Sequence, residues 1–174
     1  PEGATFAGVM MGAPDQYFLV ASDAGYGFLV KLEDMITKNK KGKAVLSVPK
    51  VSAGVVPPVP VYDIDTDWIA AVTSTGQMLV FPTRDLPVLP KGKGNKILGI
   101  PSSRVEKREE YLVGMLSIPE GSSIVVNTEK RKKEFDDDAL NEFIGERGQR
   151  GKKLPQGMRS VKRMSVVEEE VEEE

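Results

Sequence analysis

Two short apolar runs, Tyr17–Ala21 and Phe28–Leu32, flank the polar turn Ser22-Asp23-Ala24-Gly25. Runs of this length, rich in Val, Phe and Tyr and broken at a glycine, predict a β-hairpin, because branched and aromatic side chains pack well on a pleated surface. The pattern returns at Trp68–Phe81, where Thr75-Gly76 divides WIAAVT from QMLVF, and Gly25 and Gly76 are separated by 51 residues. A third pair of runs is read in YLVGMLSIPEGSSIVVN, Tyr111–Asn127, with Gly121 as its turn glycine. Pro57, Pro58 and Pro60 interrupt the apolar segment ahead of the second hairpin and predict an edge strand or a connection rather than a central strand, since proline donates nothing to a ladder, and the segment is read as a link between blades. Helical spacing is confined to Leu32–Asn39 and to Asp136–Gly145, where an Asp precedes Ala139, Leu140, Phe143 and Ile144 and Gly145 is the stop.

Each hairpin is followed by a polar loop that ends in a basic residue, a glycine and an apolar stretch expected to be a further strand. The copies are KGKAVLSVP at Lys41–Pro49, KGNKILGIP at Lys93–Pro101 and RGKKLPQGM at Arg150–Met158; Gly42 and Gly94 are 52 apart, Gly94 and Gly151 are 57 apart. Self-similarity at this period marks stacked or radially arranged units, and a propeller blade has about 40–50 residues. Closed propellers use about four to eight blades, so this number of units leaves a ring open. The expected fold is therefore all-β, a propeller-like array of about three four-stranded blades, open or truncated from a larger array. The array is placed at residues 1–163, with repeats near 1–50, 51–101 and 102–163, and an acidic disordered tail at 164–174.

Composition narrows the function. The chain of 174 residues is 40% hydrophobic, enough for a globular core, and has neither cysteine nor histidine. Disulfides, thiolate nucleophiles and the usual neutral-pH general base are thereby excluded. No apolar run is long enough to cross a membrane and no leader is recognisable, so a cytoplasmic protein without membrane insertion is expected. Net charge is −2, but Glu168–Glu174 holds six glutamates; the rest has 24 Lys+Arg against 20 Asp+Glu, a charge of +4.

The cations gather in the repeated loops: Lys38, Lys40, Lys41 and Lys43 in the first, Lys91, Lys93 and Lys96 in the second, Arg147, Arg150, Lys152 and Lys153 in the third. Recurrence in register predicts that they line one rim. Glycines let a backbone approach a phosphate and offer it N–H groups, lysines neutralise its charge, and a guanidinium grips two oxygens. Contacts spread over several loops would bind double-stranded DNA without sequence readout and with steep salt dependence. Bending a site of 20–30 bp costs on the order of 1–6 kcal/mol, which several loops acting together offset. GKGNK lacks the glycine interval and the Ser or Thr of a nucleotide-binding P-loop. The competing expectation is a protein-interaction module in which the lysine loops only keep the surface soluble. Tyr17, Tyr26, Tyr62, Tyr111 and Trp68 are read as packing residues, and Asp136–Asp138 as a helix cap with first-turn charges rather than metal ligands. No catalytic residue, metal site or cofactor is expected in the chain.

Several stretches carry a family resemblance: ASDAGYGF at Ala21–Phe28, FPTRDLP and LPKGKGNKI up to Ile97, and GERGQRG at Gly145–Gly151. They resemble the C-terminal domain of the A-type subunit of bacterial topoisomerase IV, which is similar to its counterpart in DNA gyrase; the resemblance runs from about Phe6 to Val166. It implies a β-pinwheel whose blades exchange strands and whose basic outer face binds and bends DNA. It also implies a non-catalytic, DNA-positioning part of an ATP-dependent type II topoisomerase. Such a part helps discriminate crossings during supercoil relaxation and decatenation, hence chromosome segregation, in the bacterial cytoplasm at the nucleoid. The partners implied are the remainder of the topoisomerase IV A-type subunit, together with the ATPase subunit, and ATP and Mg²⁺ are used by other domains. The gyrase family carries a box, QRRGGKG, which GERGQRGKK and LPKGKGNK match only partly, so Arg147, Arg150, Lys152, Lys91 and Lys93 inherit the DNA-contact role while full wrapping is not implied.

Overall fold

The computed structural model describes residues 2–168. The first hairpin, β1 (Tyr17–Ser22) and β2 (Tyr26–Lys31), pairs antiparallel as its sequence predicts. The strand β3 (Val55–Pro60) adds to β1 on one side, and the two-residue β6 (Asn95–Lys96) adds to β2 on the other, giving the order β3-β1-β2-β6. The second sheet repeats this plan with the hairpin β4 (Trp68–Thr73) and β5 (Gln77–Pro82), flanked by β7 (Leu112–Ile118) and β10 (Lys152–Lys153), in the order β10-β5-β4-β7. A third sheet has three strands among the described residues, β11 (Val161–Val166), β8 (Ile124–Thr128) and β9 (Lys132–Phe135). The architecture is the expected all-β array, but the proline segment read as a link between blades is the edge strand β3, where the missing N–H costs no ladder bond.

Neighbouring units exchange strands. β6 lies in the second unit's Lys-Gly loop yet completes the first sheet, and β10 lies in the third unit's loop yet completes the second. Gly94 and Gly151, which precede these strands, have φ of +79° and +76°. A Cβ on either would press into the backbone carbonyl of Gly27 or Met78 on the strand being joined. Gly42 of the first loop has φ +81° but open space around its Cα.

The three sheets stack face to face, so the two faces of each central strand enter different cores. Leu19, Ala21 and Leu29 of the first sheet pack with Ile69, Ala71, Leu79 and Phe81 of the second. The alternate residues of the second sheet, Ala70, Val72, Met78 and Val80, pack with Ile124, Val126 and Phe135 of the third. Burial on both faces explains why these strands read as unbroken apolar runs. Phe18, Val20, Phe28 and Val30, on the remaining face of the first sheet, are covered by Met10, Leu32, Met35, Val45, Leu46 and Leu89.

Several expectations are corrected. Tyr111–Asn127 is not a hairpin: β7 pairs with β4, β8 pairs with β9 and β11, and Gly121 lies in the connection between the second and third sheets. The third hairpin turns instead at Thr128–Arg131, where Thr128 accepts the Arg131 N–H on its hydroxyl and no glycine is needed. The apolar stretch after the second Lys-Gly loop is not a strand: Ile97, Leu98 and Ile100 are buried in irregular backbone between sheets. The third sheet continues through Val166, so Met164–Val166 belong to β11 rather than to the tail, and residues 169–174 lie outside the described part of the chain. Tyr62 is 59% exposed and does not pack as expected. Asp136 does cap a helix, accepting the Ala139 N–H at 2.8 Å ahead of Asp137–Asn141. Among the described residues no helix is long and apolar enough to cross a membrane.

One charged cluster ties the units together. Glu110, 0% exposed, accepts from Thr73 and Thr75 of the second hairpin turn, both at 2.9 Å, from Arg104 at 3.3 Å, and from both terminal nitrogens of Arg150 at 3.0 and 2.7 Å. Nearby, Arg108 reaches Asp23 of the first hairpin turn at 2.9 Å and stacks on Tyr111. Burial disfavours the charge on Glu110 more strongly than any one partner favours it. The hydrogen bonds from Arg150, Thr75 and Thr73 and the positive charge of Arg150 together prevail, holding the carboxyl below its ordinary 4.5.

The exchange glycines and the buried carboxylate are each open to test. Gly94→Ala and Gly151→Ala should each cost at least about 2 kcal/mol in urea denaturation, and Gly42→Ala only about 1 kcal/mol, because only the first two add a backbone clash to left-handed strain. Because the folded carboxyl titrates below its unfolded value, the Glu110 contribution is complete above that value and is lost as pH falls through the folded one. Glu110→Gln should therefore lower the thermal midpoint near neutral pH, by about 1–3 kcal/mol of stability, and flatten its decline as pH falls below 4.5.

Candidate nucleic-acid interface

The edge strands β3, β7 and β11 lie side by side, whereas β6 and β10 occupy the opposite edges of their sheets. The Lys-Gly loops thus emerge on the side away from the β3-β7-β11 seam. Backbone bonds join them in sequence. Gly92 N–H donates to Val45 O at 2.9 Å and Ser47 N–H to Gly92 O at 2.8 Å, linking the first loop to the second. Gly99 N–H donates to Gln149 O at 2.8 Å and Gly148 N–H to Ile97 O at 3.1 Å, linking the second to the third. The match between Ser47 to Gly92 and Gly99 to Gln149 shows that the units repeat in contacts as well as in sequence.

The side chains on this arc differ in how free they are. Lys38, Lys40, Lys41, Lys43, Lys91, Lys93, Lys152 and Lys153 are exposed, and Lys96 is half-buried. Among the described residues the ion pairs involve Lys31, Arg104, Arg108 and Arg150, so none of the loop lysines is paired with a carboxylate. Lys43 donates to the carbonyl of Asp34, and Lys93 sits 4.4 Å from the Tyr26 ring centroid. The arginines are engaged. Arg150 is held by Glu110 and also donates to Gly99 O at 3.1 Å, and Arg147 donates to Lys96 O at 2.8 Å. Both therefore fix the third loop against the second. The sequence conceals this because Glu110 is 40 residues from Arg150 and reads as one acid in the charged run Glu106–Glu110.

Sequence reasoning misses another set of cations: Lys130, Arg131, Lys132 and Lys133 at the third hairpin, with Lys162 and Arg163 on β11, all exposed. The run EKRKKE is their signal, masked by the assignment of the third hairpin turn to Gly121. Trp68 is half-buried against the core between the second and third sheets, consistent with packing.

Residues 16–52 and 67–119 match the family model described as the DNA gyrase C-terminal domain, beta-propeller. The A-type subunit of DNA topoisomerase 4 from Pseudomonas aeruginosa is 51% identical over 95% of the chain, which spans 22% of that relative. Its counterparts in Haemophilus influenzae and Escherichia coli K12 are 43% and 40% identical over 97% and 95% of the chain, again 22% of their lengths. Among solved structures, the E. coli ParC C-terminal domain superimposes with a TM-score of 0.86 at 39% identity, covering 96% of this chain and 66% of that one. A DNA gyrase A C-terminal domain superimposes with a TM-score of 0.66 at 18% identity, covering 90% of this chain and 50% of that one, which is a likeness of fold. The chain belongs to the DNA gyrase C-terminal domain family of β-propellers.

Proposed function

We propose that the chain is the DNA-binding and DNA-bending part of the A-type subunit of topoisomerase IV, a bacterial type IIA topoisomerase, and is itself non-catalytic. It holds a duplex along the arc of Lys-Gly loops and positions it for the parent enzyme, helping to discriminate crossings during supercoil relaxation and decatenation. Strand cleavage and the use of ATP and Mg²⁺ belong to the rest of that polypeptide and to the separate ATPase subunit, in the cytoplasm at the nucleoid. The observation that carries this reading is the chain of backbone hydrogen bonds from the first loop through the second to the third, along which the lysines have no carboxylate partner among the described residues. A duplex contacting successive loops on such an arc gains counterion-release free energy at each, and that gain offsets the cost of curvature.

Arg147 and Arg150 act in this scheme mainly by holding the third loop in place, and the lysines supply the phosphate contacts. Binding of a duplex of about 30 bp should weaken steeply with salt. The quadruple variant Lys91→Ala, Lys93→Ala, Lys152→Ala, Lys153→Ala should reduce the slope of log K against log salt by roughly 3–4 while leaving the melting temperature close to the parent's. An unchanged slope would leave the loops as solubilising turns and favour the protein-interaction reading. A duplex minicircle relaxed with the chain present and then stripped of protein should show a shifted linking number; salt-sensitive binding with no shift would reduce the role to tethering.

A further inference from the structure

The registers of the three sheets make position-by-position comparison possible. Asn127 is paired with Lys132 on one side and Arg163 on the other; in the second sheet the equivalent Val72 is paired with Met78 and Gly114. Val125 likewise faces Glu134 and Ser165, where Ala70 faces Val80 and Leu116. The face that packs the second sheet onto the third is thus apolar, whereas the corresponding face of the third sheet carries Lys132, Asn127, Arg163, Glu134 and Ser165 around Val125. Lys132, Glu134 and Arg163 are exposed, so among the described residues this end face of the three-sheet stack meets solvent.

Exposure explains polarity but not sign. Lys130 and Arg131 at the hairpin tip and Lys162 beside Arg163 bring the exposed cations on and around the face to five, against Glu129 and Glu134. None of the five forms an ion pair among the described residues, in contrast to Arg104, Arg108 and Arg150. β9 also occupies the position that β2 and β5 hold in their sheets, next to the loop arc. The row Arg163-Asn127-Lys132 crosses from the inner strand to that outer edge, about 10 Å over two strand spacings.

We infer that this end face of the third sheet is a second polyanion surface, continuous with the loop arc, which takes the phosphate backbone of a duplex. It rests on the duplex-binding reading and extends it to residues outside the loops. A duplex, rather than an acidic protein, fits because a protein interface needs an apolar centre, and among the paired strand positions described on this face Val125 is the one large apolar side chain. Long cationic side chains without fixed partners suit phosphates, which ask for charge rather than shape.

The test is duplex binding by the full chain as a function of salt, comparing Lys132→Gln/Arg163→Gln with the loop variant Lys91→Gln/Lys93→Gln. The inference expects the end-face variant to melt like the parent and to lower the slope of log K against log salt by about 1–2. The footprint on a duplex longer than the loop arc should shorten. Parent-like slope and footprint in the end-face variant would overturn the inference while a weakened loop variant leaves the loop reading standing. A weakened end-face variant beside a parent-like loop variant would support the inference and remove the loop reading instead. Tighter binding of a polyglutamate peptide than of duplex at equal salt, lost in the end-face variant, would also overturn it by showing an acidic protein partner. Should the double variant fail to fold, Lys130→Gln/Lys162→Gln, which lies outside the central row, carries the same expectations.

Discussion

Everything in this molecule depends on a few backbone hydrogen bonds in which two residues of one unit lie against the hairpin edge of the unit before it. The pairing of Tyr26 with Lys96 and Gly27 with Asn95, and of Met78 with Lys152 and Gln77 with Lys153, satisfies an edge that would otherwise be exposed. It also fixes where the cations go. A lysine loop that must donate strands to its neighbour is held at that neighbour's outer edge, so covering the sheet and presenting positive charge are one structural event. The glycines with positive φ make this approach possible by removing the side chain that would otherwise strike the receiving strand.

Apolar packing and the charged cluster act on different interfaces of the same stack. Period-two alternation sends neighbouring residues of one strand into different cores, so a single strand such as β4 ties three sheets together. Glu110 adds a directional constraint. Its carboxylate joins the second hairpin turn to the third loop through Arg150, an arrangement that hydrophobic contact alone would leave free to slide. The charge is tolerated because hydrogen bonds from threonine hydroxyls and guanidinium groups fill its acceptor capacity.

The repeat and the first two hairpins are legible in the sequence because a turn glycine between apolar runs leaves a clear local mark. The third hairpin is not, since its turn is made by Thr128 and charged residues, while Gly121 imitates the expected signal in a mere crossing between sheets. Strand exchange leaves no trace in any one unit's residues: β6 and β10 are two residues long and look like loop. Recurrence reveals the loop lysines. The engagement of Arg150 stays hidden because a charge run gives no sign of which of its members folds inward, and only Glu110 among Glu106, Glu109 and Glu110 does so.

Because the first and second sheets each borrow from the next stretch of polypeptide, the sequence repeat and the folded module are out of phase. A cut that respects the sequence period would strip a completed sheet of both its flanking strands and leave them stranded on the other fragment. Inserting an in-phase copy of a unit, by contrast, would hand each neighbour the same donated strand it already uses. Such an arrangement permits growth by whole duplicated segments while penalising partial ones.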